Sequence, residues 1–328
     1  TSNVLHSELG GFGRNPHGNF PCGGSSSGSA IAVAAGFCDA ALGTETRGSL
    51  MIPGFRNGVF SFKPSRGLVS RTGIIPLSSS FDAPGVLARN PEILREVFLF
   101  MVGVDPEDDQ PFELTKTESS FSRKRIVFCV NRKLGEMEML QTKLHPFLSQ
   151  LKLKGFEIAF IDLPEVVFDY KTISSADIRS DMTCFLQRFG SDNEPRSFEE
   201  LVERYRERPH AHLYGMERLE DALAMPQITK PDLKKLVQEN VAKARNLIDD
   251  ILAHYDADFV GFLNFVDWFS IGGGPSCTLP VSFETKPPIS IMLGARVGND
   301  LAILHLVKEL SEIAKAAQHV EKLSNKAE

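Results

Sequence analysis

Two short serine-bearing turns are the part of this sequence whose residue types could do chemistry. The first is GGSSSGS at Gly23–Ser29, followed directly by the apolar stretch AIAVAAG, and the second is TETRGS at Thr44–Ser49. Acyl transfer through a serine needs a hydroxyl on a tight turn, a group that takes its proton, and N–H donors where an oxygen becomes negative. A glycine at position 48 lets a substrate approach the backbone closely. The second turn therefore predicts a serine nucleophile, Ser49, beside consecutive backbone amides.

Other interpretations of the two turns are less consistent with their context. Gly/Ser-rich runs are most often linkers, and an isolated Gly-Ser pair most often caps a helix. The first turn, however, runs straight into a compact Ala/Val segment, and a glycine-rich turn that opens a helix presents N–H groups to an anion or oxyanion. A Walker A phosphate loop is excluded because Ser29 stands where that motif requires lysine. The glycine spacing also fails the dinucleotide fingerprint.

The two turns and their surroundings resemble the amidase signature family. Its pattern G-G-S-S-x-G-S, followed by an Ala-rich helix and G-T-[DE]-T-x-G-S, is matched by Gly23–Ser29 and Gly43–Ser49. The continuation GVFSFKPSRGLVSRTGIIPLSSSFDAPGVLARN matches a K-P turn, a V-S strand, G-x-x-P and S-x-D-x-x-G-x-x-A-R. The match is dense over residues 23–90, weakens through the middle, and returns faintly in GGGPSCTLPVSF and GNDLAILHLVKELSE.

The resemblance implies a Ser–cisSer–Lys mechanism. It makes Ser49 the nucleophile, and it implies a cis peptide bond at Ser25, whose hydroxyl relays the nucleophile's proton. The helix between the turns would hold the two hydroxyls within hydrogen-bond reach, and Ser26 would support Ser25. The oxyanion hole would consist of four consecutive backbone amides, those of Thr46, Arg47, Gly48 and Ser49.

The sequence departs from the family pattern at the third catalytic residue. That residue is a lysine upstream of the segment that TSNVLHSEL resembles, whereas the first lysine here, Lys63, matches the structural K-P turn. Three explanations remain open. The chain is a fragment of a complete enzyme, which we favour because Thr1 begins within a motif; another chain supplies the lysine; or the protein is a non-catalytic relative.

A second departure concerns Glu45. Met51 stands where the family usually has an arginine that pairs with the acid at the position of Glu45. Glu45 therefore needs another partner, and Arg47 is a candidate because it is two residues away. The alternative is that Arg47 points to solvent.

Aromatic residues and glycines are concentrated in FVGFLNFVDWFSIGGGPS. The simplest interpretation of this segment is a core strand and a turn. The resemblance places GGGPS on a loop that lines the amidase cleft, so it implies a substrate pocket formed by Phe265, Trp268, Phe269, Gly273 and Gly274. Together with 24 phenylalanines in the chain, this favours an apolar or aromatic substrate.

Composition argues against several other classes of function. A net charge of −6 without a block of Lys or Arg disfavours direct binding of nucleic acid or anionic membranes, and no apolar run is long enough to span a membrane. The five cysteines are scattered without a CxxC pair, which favours a reducing, cytoplasmic location over disulfides or zinc. His210 and His212 have a spacing that suits metal ligands on a strand, but no third ligand accompanies them. We therefore predict no metal and no cofactor.

These observations favour an amidase that hydrolyses a small apolar or aromatic amide through a serine acyl-enzyme. The relatives with the most similar motifs hydrolyse small amides such as indole-3-acetamide, and the resemblance also allows for a homodimer. Two alternatives stay open. One is the glutaminase component of a tRNA-dependent amidotransferase, which would need partner subunits, and the other is a non-catalytic binding protein that keeps the turns as structure.

The elements that must position the turns predict an α/β fold with α/β/α layers around a central mixed sheet, lacking the N-terminal portion of the family fold. We predict residues 1–105 as the core with the serines and 106–328 as the remainder of one continuous domain. RKRIVFCV, EMEMLQTKLHPFLSQLKLKG and FEIAFIDLP form a strand–helix–strand pattern. Helical spacing is clear in NPEILREVFLFMVG, KPDLKKLVQENVAKARNLIDDILAHY and the closing DLAILHLVKELSEIAKAA.

Overall fold

The computed structural model describes residues 6–7, 11–108, 123–208 and 216–324, which form an α/β fold around one mixed sheet. A ribbon of two short strands, β1 (His6–Ser7) and β2 (Gly11–Phe12), precedes this sheet. The sheet's strands are β3 (Ala40–Glu45), β4 (Phe60–Lys63), β5 (Ala83–Ala88), β6 (Arg125–Val130), β7 (Glu157–Asp162), β8 (Phe259–Phe262), β9 (Ser276–Ser282) and β10 (Ile289–Gly294). Their spatial order is β3-β5-β4-β9-β10-β8-β6-β7, so β3 lies at one edge.

The helices of the described residues surround this sheet. They are α1 (Ser27–Ala34), α2 (Met51–Asn57), α3 (Pro91–Met101), α4 (Glu136–Gln141), α5 (His145–Leu153), α6 (Tyr170–Phe189), α7 (Phe198–Arg206), α8 (Glu217–Ala224), α9 (Lys230–His254), α10 (Trp268–Gly272) and α11 (Asp300–Ser324). No helix of the described ranges combines the length and the apolar character that crossing a membrane requires.

The sheet lies between two hydrophobic cores, as its strand sequences dictate. Successive side chains of a strand point to opposite faces. Along β6, Ile126 and Phe128 therefore join a core built with α3, α5 and α11, whereas Val127 and Cys129 join a core built with α1, α2, α9 and α10. This arrangement confirms the predicted α/β/α layers around a mixed sheet.

The predicted strand–helix–strand unit is present, with one difference. β6 pairs in parallel with β7, and it also pairs in parallel with β8. The single predicted helix between β6 and β7 is two helices, because α4 ends at Gln141 and α5 begins at His145 with a proline in its first turn. Proline has no N–H for an ongoing helix and is tolerated at a helix start, which accounts for the break.

Strands from both predicted regions share the sheet. β3, β4 and β5 come from residues 1–105, and β4 pairs with β9 of the later region. The boundary at residue 105 stays a prediction. Helices α6 to α9 form a separate group that reaches the core near Phe81, Ile173 and Ala244.

Candidate active site

The first serine turn leads directly into α1. The peptide bond between Gly24 and Ser25 is cis, the conformation that the resemblance implied at Ser25. The Ser25 side chain is exposed, and Ser27 starts the helix with its hydroxyl bonded to the carbonyl of Gly23. Ala30 and Val33, one helical turn apart, bury the inner face of α1 against the second core.

The second serine turn connects the edge strand β3 to the short helix α2. Gly48 has φ +87, and a Cβ built on it would lie 2.8 Å from Cζ of Phe265, so only glycine fits there. Within the part of the chain that the structure describes, the backbone N–H groups of Arg47, Gly48 and Ser49 donate to no protein acceptor. Buried amides are almost always paired in proteins. Three consecutive free amides beside a serine are therefore suited to hold an oxyanion.

The two turns are joined through their backbones. The N–H of Ser26 donates to the carbonyl of Ser49 at 2.9 Å. Between the Ser25 and Ser49 hydroxyls themselves, the described residues show no hydrogen bond. Catalytic hydrogen bonds often tighten only when a substrate is bound, so the proton relay through Ser25 stays a proposal.

The hydroxyl of Ser26 is bonded to Thr44 rather than to Ser25. It donates to the Thr44 carbonyl and accepts from the Thr44 N–H, both at 3.2 Å. The resemblance implied support for Ser25 from this residue. The observed contacts instead fasten α1 to the end of β3, where the turn of Ser49 begins.

Glu45 is buried and holds the far side of the Ser49 turn. One carboxylate oxygen accepts from the backbone N–H groups of Leu50 at 3.1 Å and Met51 at 2.9 Å, and the other accepts from the hydroxyl of Ser270 at 2.6 Å. The candidate partner Arg47 is therefore wrong for Glu45. A carboxylate at the start of a helix replaces the missing acceptors of its first amides.

Arg47 pairs with a residue far away in the sequence. Its Nε donates to the carboxylate of Asp267 at 2.9 Å, and its guanidinium lies 4.9 Å from the ring centre of Tyr170. Arg47 is half-exposed and Asp267 is largely covered. This pair and Tyr170 frame the outer side of the turn, and no local pattern in the sequence predicted either contact.

Only one of the five predicted pocket residues lies at the turn. Phe265 contacts the position of Gly48 as described above. Trp268 and Phe269 are instead fully buried in the second core, where both rings pack edge-on against Phe262. Gly294 leaves the space that the ring of Phe269 fills, which explains why that ring is directed inward.

The two predicted glycines lie against the K-P turn. The carbonyl of Gly274 accepts from Nζ of Lys63 at 2.6 Å, and the carbonyl of Gly273 accepts from the N–H of Arg66 at 3.0 Å. Lys63 also donates to the carbonyl of Pro64, and burial lowers its pKa to about 8. Lys63 therefore has the structural role that its position in the K-P turn implies.

A cavity of about 530 Å³ opens beside Ser25. Its lining is mainly apolar and contains no lysine, as far as the described residues show: Ser25, Ser26, Leu42, Gly43, Thr44, Val69, Ser70, Ile74, Pro84 and Met101. Among the described residues no three His, Cys, Asp or Glu side chains are placed to hold a metal ion. His210 and His212 lie outside the described residues.

The first residue of the turn, Thr46, is bonded to an aspartate that the sequence interpretation left without a role. Its hydroxyl donates to Asp82 at 2.5 Å. Asp82 belongs to the segment Leu77–Asp82, which we call the serine loop. This loop is held by two aspartates of α6, because Asp177 accepts from Ser78 and Ser80, and Asp181 accepts from the N–H of Ser79 at 2.7 Å.

Asp181 makes stability depend on pH. Burial raises its pKa to about 6, an effect that the Ser79 N–H opposes and the Asp177 carboxylate reinforces. Folded Asp181 thus binds its proton more tightly than the unfolded residue, so its contribution to stability is full below about pH 4 and is lost as the pH rises through about 6. We expect Asp181→Asn, which keeps an acceptor, to be more stable than the wild type by ~1–2 kcal/mol at about pH 7.5 and to lose this advantage at about pH 4.5. Urea unfolding at the two pH values measures this, and a difference that does not change with pH would contradict it.

The fold and the two serine turns can now be compared with known proteins. The Amidase family model matches residues 4–260, so the chain belongs to the amidase family. It is 25% identical over 319 residues to translocon at the outer membrane of chloroplasts 64 of Pisum sativum, covering 88% of this chain and 52% of that one. It is 33% identical over 198 residues to a mitochondrial glutamyl-tRNA(Gln) amidotransferase protein of Anopheles gambiae, covering 56% and 40% respectively.

Solved structures share the fold. The native peptide amidase of Stenotrophomonas maltophilia superposes with a TM-score of 0.84 at 23% identity, over 95% of this chain and 70% of that chain. At this identity the likeness concerns the fold alone. The chain spans about half the length of the curated relatives it matches, or less.

Proposed function

We propose that this chain carries the nucleophile and the oxyanion hole of an amidase that hydrolyses a small carboxylic amide with an apolar or aromatic group. The observation that carries the proposal is the turn at Arg47–Ser49. There a serine hydroxyl follows two residues whose backbone amides, with its own, are free to bind a negative oxygen.

In the proposed reaction the Ser49 hydroxyl attacks the carbonyl carbon of the amide. Its proton passes to the Ser25 hydroxyl, whose own proton passes to a lysine. The carbonyl oxygen becomes negative in the tetrahedral intermediate, and the backbone amides of the turn stabilise it. The C–N bond then breaks, and the departing nitrogen takes a proton back along the same relay. Water hydrolyses the acyl-serine in a second step with the same parts.

The lysine of this scheme is assigned to a segment or chain outside the 328 residues. Two observations support this assignment. The cavity beside Ser25 is lined by no described lysine, and the buried Lys63 is committed to the carbonyls of Pro64 and Gly274. The apolar walls of the cavity would exclude water from an amine placed there and lower its pKa, which suits a proton acceptor.

The substrate class is argued from the surroundings of the turn. Phe265 lies against Gly48, and Tyr170 lies under the guanidinium of Arg47. Apolar and aromatic walls favour an apolar or aromatic acyl group near the scissile carbonyl. The experiment is to supply the full-length protein with an aryl-acetamide, an aliphatic amide and glutamine, and to measure release of ammonia and of the carboxylic acid.

The outcomes of that experiment separate the candidates. Release from the aryl-acetamide in preference to glutamine supports the proposal. Release from glutamine alone would instead favour the glutaminase component of an amidotransferase. That candidate draws support from 51% identity over 86 residues to a mitochondrial glutamyl-tRNA(Gln) amidotransferase protein of Aedes aegypti. No release from any amide would contradict both enzymes and favour a non-catalytic role.

A further inference from the structure

We propose that Asp82 is a positioning residue for the oxyanion turn, because it fixes Thr46 and thereby the direction of the amides that follow. The inference rests on the proposed function of that turn. Asp82 touches no reacting atom in the proposed reaction. It acts through the hydroxyl of Thr46 and through the backbone of the serine loop.

Asp82 joins the turn to the serine loop through both of its oxygens. Oδ1 accepts from the hydroxyl of Thr46 at 2.5 Å. Oδ2 accepts from the backbone N–H groups of Leu77 at 2.8 Å and Ser78 at 2.9 Å. A charged acceptor makes these bonds about twice as strong as bonds between neutral groups. The carboxylate is therefore a firm link between two loops that no strand pairing connects.

The position of Thr46 explains why the turn needs such a link. β3 is an edge strand that pairs only with β5, and its pairing ends at Glu45 opposite Ala83. Thr46 is the first residue beyond the strand, and it is buried. Its hydroxyl would cost about 1–3 kcal/mol if it were left there without a partner. Asp82 supplies that partner at the point where the sheet stops guiding the chain.

Two carboxylates bracket the free amides. Asp82 holds Thr46 just before them, and Glu45 holds the N–H groups of Leu50 and Met51 just after them. Neither carboxylate accepts from the N–H groups of Arg47, Gly48 or Ser49. The turn is thus fastened at both ends while its middle stays open to a ligand, and this is the preorganisation that oxyanion stabilisation requires.

The serine loop is itself anchored to α6. Asp177 accepts from the hydroxyl of Ser78 and from the N–H of Ser80, and Asp181 accepts from the N–H of Ser79. The ring of Phe81 stacks on Tyr170 with centroids 6.0 Å apart. Asp82 therefore transmits the rigid position of a long helix to the turn.

Asp181 provides a matched control for Asp82. Both are aspartates that accept backbone N–H groups of the serine loop, but only Asp82 also bonds a residue of the oxyanion turn. An effect that comes merely from loosening the serine loop would appear in both variants. An effect that passes through Thr46 would appear only in the Asp82 variant.

The test measures steady-state hydrolysis by the full-length protein with Thr46→Val, Thr46→Ser, Asp82→Asn and Asp181→Asn. Valine has the shape of threonine without its hydroxyl, and serine retains the hydroxyl. We expect Thr46→Val and Asp82→Asn each to lower kcat by about 10- to 100-fold with KM unchanged, because the oxyanion exists only after attack. The double variant should lose little more than either single one. Thr46→Ser and Asp181→Asn should keep the wild-type kcat.

A second measurement does not depend on turnover. Hydrogen exchange of the peptide covering residues 44–51 should be faster in Thr46→Val and Asp82→Asn than in the wild type, and unchanged in Asp181→Asn. Wild-type kcat and wild-type exchange in Thr46→Val would overturn the inference. An inactive wild type would contradict the proposed function instead, and the exchange experiment alone would then decide whether Asp82 positions the turn.

Discussion

Replacing Ser49 by alanine is expected to lower amide turnover by about 10⁴-fold or more while leaving the fold intact. The proposed reaction has no other nucleophile, so the variant keeps only what binding and the free amides contribute. The side chain of Ser49 is partly exposed and its hydroxyl makes no hydrogen bond within the described residues, so its removal costs little stability. Release of ammonia and of the acid, followed at saturating amide, measures the effect.

Ser29→Ala is the matched control for this substitution. Ser29 lies on α1, and its hydroxyl donates to the carbonyl of Leu42 at 2.7 Å, outside the proposed reaction path. We expect this variant to keep the wild-type rate, with a loss of stability of about 1 kcal/mol from the missing hydrogen bond. Undiminished hydrolysis by Ser49→Ala would refute the assignment of the nucleophile.

The second large effect is expected at Ser25. Ser25→Ala should lower kcat by about 10²- to 10⁴-fold, the range for loss of a positioned proton-transfer group. The Ser25 hydroxyl makes no hydrogen bond among the described residues and is exposed, so the melting temperature should stay within a few degrees of the wild-type value. Steady-state kinetics and thermal unfolding of the same preparation measure both quantities.

The profile of the loss identifies the role of Ser25. A relay residue acts on the proton of Ser49 and on the departing nitrogen, so the loss should be larger for an amide than for the corresponding ester with a better leaving group. Equal losses for the amide and the ester, or a full rate with both, would contradict the relay. Ser29→Ala again serves as the control because both serines lie in the same seven-residue motif.

Much of the sheet could be predicted from local patterns, but two of its strands could not. Buried runs such as that of β6 read directly as strands, as did the helical spacing of α3 and α9. β3 and β5 have the sequences AALGTE and APGVLA, whose glycine, proline and alanine residues show neither alternation nor strong β propensity. These strands are fixed by pairing along Ala40–Glu45 and Ala83–Ala88 and by packing, which are tertiary effects.

The site was predictable as far as it consists of two contiguous motifs. The resemblance supplied Ser25, Ser49 and the amides of the second turn. The partners of those motifs come from distant segments, such as Asp267 for Arg47 and Ser270 for Glu45, so no local spacing could indicate them. Asp82 was part of a matched motif, but its contact with Thr46 depends on how the serine loop packs on α6.

Covalent labelling tests the central claim most directly. The full-length protein is treated with a fluorophosphonate, and the modified peptide is located by mass spectrometry. The account predicts one adduct on Ser49, which is lost in Ser49→Ala and retained in Ser29→Ala. An adduct on another serine, or no adduct in a protein that hydrolyses amides, would contradict it.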